Sequence, residues 1–66
     1  MTKYTVIWQG MKEGQEFHCS RLDDAKRVAR AYAIVFGHAE LTYDTLPGKD
    51  IYFDRTPGHT VKELEM

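Results

Sequence analysis

The chain has 66 residues, nine basic, ten acidic and three histidine, with a net charge of −1. Such a length makes one domain, residues 1–66, that buries only about 60% of its unfolded surface. It has no room for a core plus a deep pocket of roughly 300–1,000 Å3, so no enzyme is expected. The near-neutral balance also excludes a strongly basic nucleic-acid protein and a strongly acidic DNA mimic.

Residues 3–9, K-Y-T-V-I-W-Q, are rich in β-branched and aromatic side chains and predict a first strand. Its alternation places Tyr4, Val6 and Trp8 in the core and Thr5 and Ile7 on the outer face. Residues 10–14 form a turn, and residues 15–19 a short second strand. A helix follows between Ser20 and Gly37, with Ser20 as N-cap, Asp23 as a capping-box-like partner and Gly37 as the left-handed stop. On a helical wheel Leu22, Ala25, Ala29, Tyr32, Ala33 and Phe36 make the core stripe, with Val28 at its edge. Asp23, Arg27, Arg30, Ala31 and Ile34 face away, with Lys26 on the shoulder.

Residues 39–44 alternate apolar and polar and predict a third strand. Pro47-Gly48 suits the centre of a type II turn. Residues 50–54 predict a fourth strand, with Ile51 and Phe53 inward and Tyr52 outward and exposed. After Pro57-Gly58 the tail supports two readings. The turn suggests a fifth strand over residues 60–64. Thr60 and Glu63 also make a capping box, and Val61 and Leu64 lie three apart, as a short helix wants. Strand is preferred. The expected fold is α+β, one helix across a four- or five-stranded antiparallel sheet, in the order ββαββ(β).

The chemistry-bearing residues are few. His18 and Cys19 are neighbours on a strand, so they point to opposite faces and share no metal. His38 and His59 are isolated in sequence. Cys19 is the only cysteine, which excludes an internal disulfide and fits a reducing compartment. No apolar run has signal-peptide or membrane-span length. No catalytic residue, metal site or cofactor is expected. Glu40, Asp44, Asp50 and Asp54 read as a solvated sheet edge, with an acidic patch or Mg2+ site as the alternative. Residues 21–36 carry a net charge of +2, from four basic and two acidic residues. Residues 39–54 carry −3, from four acidic residues and one lysine.

The candidate binding residues are therefore Lys26, Arg27, Arg30 and Ile34. Basic residues on a helix often serve only solubility, partly paired with Asp23 and Asp24. Ile34 is the exception, because an apolar β-branched side chain on an exposed basic face has no structural task there. With Ala31 it makes an apolar centre rimmed by guanidinium groups, as interfaces do.

Within the helix, Ser20, Leu22, Ala25, Lys26, Arg27 and Ala29 resemble the pattern S-L-x-x-A-K-R-x-A. That pattern belongs to a family of small phage anti-CRISPR proteins that inhibit the type I-F surveillance complex. Arg21 is an extra residue between the serine and the leucine, a polar residue of the family helix falls on Ala33, and the family is more basic. The resemblance implies one helix on an antiparallel sheet. It also implies a phage inhibitor acting in the host cytoplasm, with Lys26 and Arg27 meeting the complex where guide RNA and a repeated backbone subunit form the path of target DNA. The expected partner is then a host protein or a Cascade-type ribonucleoprotein, with weak or no binding to free nucleic acid and no membrane contact. Two alternatives stand beside it. One is a phage inhibitor of another host complex such as RNA polymerase, bound through the acidic strands. The other is a homodimeric interaction protein paired through Ile7 and Tyr52.

Overall fold

The structure is a computed structural model that describes residues 3–46, 48–58 and 60–65. Five strands and one helix follow in chain order: β1 (Tyr4–Trp8), β2 (Phe17–Cys19), α1 (Leu22–Phe36), β3 (His38–Tyr43), β4 (Ile51–Arg55) and β5 (Val61–Glu65). The strands form one sheet in the order β2-β1-β3-β4-β5, and every neighbouring pair is antiparallel. The fold class is thus the expected α+β, with five strands, and the tail is a strand. Of the two Pro-Gly turns, Pro47 lies outside the described residues, as does His59.

β1 is paired on both sides, with β2 and with β3. β2 and β3 therefore run parallel to each other with β1 between them, and parallel strands need a long crossover. The helix is that crossover, which places it on one face of the sheet. Ala25, Ala29 and Ala33, at i, i+4 and i+8, are fully buried, and their small side chains bring the helix close to the sheet. Val6, Leu41, Ile51 and Phe53 fill the space beneath them.

The helix ends are held differently from the sequence expectation. Ser20 is not the N-cap. Arg21 holds that position in extended backbone, its carbonyl accepts from Ala25 N–H at 3.0 Å, and no side chain caps the helix. Asp23 and Asp24 supply negative charge in the first turn instead. Gly37 is the left-handed stop as expected, with φ of 98° and its N–H donating to the Ala33 carbonyl at 2.8 Å. The last turn contains no basic residue, but Arg55 of β4 donates from Nη1 to the Ile34 carbonyl at 2.9 Å.

Two core expectations need correction. Trp8 and Tyr4 are half-buried rather than buried, and Phe36 is 44% exposed. For Trp8 the cause is the shortness of β2. Its register with β1 runs only from Tyr4↔Cys19 to Val6↔Phe17, so Trp8 has no β2 residue opposite it. Trp8 instead stacks on Tyr32 with centroids 4.2 Å apart, and Phe36 leans on both rings. Thr5 also departs from expectation: it sits on the outer face yet is only 9% exposed. Its hydroxyl donates to Asp44 Oδ1 at 2.8 Å and lies 3.1 Å from His18 Nδ1, so neighbouring side chains cover it.

Candidate functional site

The helix presents two kinds of surface along its length. Its first half is charged. Asp23, Lys26, Arg27 and Arg30 line an open depression of about 440 Å3. Its last turns are apolar, with Ala31 exposed, Ile34 44% exposed, Val35 66% and Phe36 44%. Helical spacing puts Arg27, Ala31, Ile34 and Val35 on the side away from the sheet, at i, i+4, i+7 and i+8.

The four sequence candidates fall on this surface but do not behave alike. Lys26 is folded toward β5, where its Nζ lies 3.6 Å from Glu63 Oε2 and 3.8 Å from Glu65 Oε1. Arg30 Nη2 donates to Glu63 Oε1 at 2.8 Å. Glu63 thus joins two cations of the helix with its two oxygens. Among the described residues, Arg27 has no carboxylate within ion-pair distance. The intrahelical pairing expected from Asp23 and Asp24 is limited to Arg21 and Asp24, 3.9 Å apart.

Glu63 and Glu65 were not among the candidates. The signal for them was the period-2 reading of the tail: if Val61 faces the helix, so do Glu63 and Glu65, beside the shoulder residue Lys26. Val35 was also missed. It falls outside the core stripe on the wheel and, like Ile34, is an apolar β-branched residue with nothing to pack against.

The remaining candidates serve the sheet. His38 and Asp54 sit opposite each other on β3 and β4, with Nδ1 and Oδ1 2.5 Å apart, and His38 stacks beside Tyr52. Tyr52, expected to be exposed, is half-buried. His18 and Cys19 do point to opposite faces. His18 reaches Thr5 on the outer face, while Cys19 packs against the core and its thiol donates to the Arg21 carbonyl at 3.2 Å. Among the described residues no group of three or more His, Cys, Asp or Glu is arranged to hold a metal ion. Among the same residues no helix is long and apolar enough to cross a membrane.

Among the described residues no helix or strand lies over the face of the sheet opposite the helix. Across it runs one row, Ile7, Glu40, Tyr52 and Leu64, set by the registers of β1, β3, β4 and β5. Leu64 is 52% exposed. No protein-family model matches the chain, and no curated protein or solved structure matches it.

Proposed function

We propose that this protein is a non-enzymatic, phage-borne inhibitor that works in the host cytoplasm. It binds a CRISPR type I surveillance ribonucleoprotein through the outward helix face and blocks recognition of target DNA. Arg27 and Ile34 lie at the centre of the contact, Val35 extends it, and Lys26 and Arg30 stand at its edge. The observation that carries this reading is the juxtaposition of an arginine without an ion-pair partner among the described residues and a bare apolar turn. Exposed apolar side chains beside a guanidinium suit a protein-protein contact with an apolar centre and a charged rim. The ion pairs hold Lys26 and Arg30 against β5 at the rim of that contact.

The test is capture of a purified type I surveillance complex by the tagged protein, followed by target-DNA binding of the captured complex. Capture with loss of DNA binding is the expected result. No capture at micromolar concentrations refutes the reading.

A second reading has its own observation. The row Ile7, Glu40, Tyr52 and Leu64 on the outer sheet face offers Tyr52 and Leu64 side by side to a second copy, with Glu40 between them and Ile7. Sedimentation equilibrium distinguishes it: a dimer that Tyr52→Lys dissociates favours this reading, and a monomer at all concentrations removes it.

A further inference from the structure

The cationic face of the helix is neutralised from within. Lys26, Arg27 and Arg30 surround the depression together with Asp23, and Glu63 and Glu65 stand against two of the cations. Two of the three cations thus face strand carboxylates. The two strand carboxylates are placed with some specificity. Glu63 pairs across the sheet with Phe53, a core residue, so its side chain rises on the helix side of β5. Glu65 pairs with the buried Ile51 and points the same way. Meanwhile Leu64 points outward and is 52% exposed. Of the three helix-side positions of this edge strand, Val61 is apolar and packs on the core, while the next two hold charge where an ordinary amphipathic strand would hold apolar residues.

A phosphate backbone is bound mainly by cations that displace its condensed counterions, and each lost cation lowers affinity and flattens the salt dependence. A cation already facing a carboxylate displaces no counterion without first giving up that partner. We propose that Glu63 and Glu65 are selectivity residues: by holding Lys26 and Arg30 they keep the helix face from retaining free nucleic acid. Arg27 and the apolar turn remain for a protein surface. The inference rests on the reading above only in taking this face as the docking face. Its test needs no target complex.

The experiment titrates a fluorescent 20-base-pair DNA duplex with the wild-type protein and with Glu63→Gln/Glu65→Gln, by anisotropy, at 50 and 200 mM salt. Two released cations add about two phosphate contacts, so the salt slope should steepen by about 1.8. The variant should then bind at least about tenfold more tightly than wild type at 50 mM, and that gain should fall about tenfold by 200 mM. Changing Lys26 and Arg30 to Gln in the same background should remove the gain. Glu13→Gln/Glu16→Gln makes the same change in net charge at exposed positions between β1 and β2, and it should leave duplex binding at the wild-type level. Equal gains from the two pairs would mean that bulk charge, not the β5 carboxylates, governs binding. No gain from Glu63→Gln/Glu65→Gln, or tight binding by wild type, also overturns the inference. If the double variant does not fold, Glu63→Gln alone carries the test. That change frees Arg30, whose carboxylate partner among the described residues is Glu63, so a gain of about threefold supports the inference, and none overturns it.

Discussion

Replacing Val35 with serine isolates the contribution of the apolar turn to the proposed docking. Val35 is 66% exposed. Full burial of a valine stabilises by roughly 1.5–3 kcal/mol, so covering the exposed two thirds supplies about 1–2 kcal/mol. Loss of that term raises Kd about 5- to 30-fold, at 1.4 kcal/mol per factor of ten. Serine and valine have similar helix propensities, and a change at so open a position shifts stability by no more than about 0.5 kcal/mol. The binding effect should therefore appear without a stability effect. Calorimetric titration of the surveillance complex measures the first, and a circular-dichroism melt the second. Adding Ile34→Ser should multiply the loss, since Ile34 is 44% exposed on the same turn. A Val35→Ser protein that binds within twofold of wild type would refute the docking role of this turn. Were Arg27→Gln then to abolish binding, the contact would be purely ionic.

Four further predictions concern the scaffold. Phe53 is the largest fully buried side chain, and Phe53→Ala should cost about 3–5 kcal/mol, enough to abolish a cooperative melt in so small a domain. The half-buried Trp8, truncated to alanine, should leave a cooperative transition at lower temperature, and the reverse order would place β1 and β4 wrongly. Arg55→Met keeps the aliphatic stem but removes the cation from the helix C-terminus. It should cost about 1 kcal/mol, a fall in Tm of about 4–8 °C, and an unchanged melt would deny Arg55 that role. Arg21→Ser should raise Tm by a similar amount, because it puts a capping hydroxyl at the position that lacks one. No rise would mean that the helix begins one residue earlier, at Ser20.

The element order was legible because each element carries its own period. Residues 39–44 alternate without a break, and the observed β3 keeps that alternation, with Ala39 and Leu41 buried and Glu40 and Thr42 less so. Gly37 marked the helix end because only a left-handed residue lets the chain turn straight into β3. Pairing was another matter. Nothing local says that β1 lies between β2 and β3, since that is set by the crossover and by long-range registers such as Val6↔Leu41. The burial of Trp8 failed for the same reason: alternation assigns a side to a residue, but the strand beside it decides how deeply it is covered. Residue type favours Ser20 as the cap, whereas the first helical carbonyl belongs to Arg21.

The candidate site divides along the same line. Arg27 and Ile34 were visible because the helical period alone sends them away from the sheet. Lys26 and Arg30 were placed on the correct face, but their pairing depends on β5, which lies more than thirty residues further along the chain. Segment charges hid this. Residues 21–36 sum to +2, yet the surface is neutralised by carboxylates that the fold brings over from the tail. A basic run in a small domain is thus a statement about composition until the facing strand is known. Among the described residues the facing strand leaves the Arg27 guanidinium and the apolar turn of Ile34 and Val35 uncovered, and those are the groups on which the proposed partner would gain most.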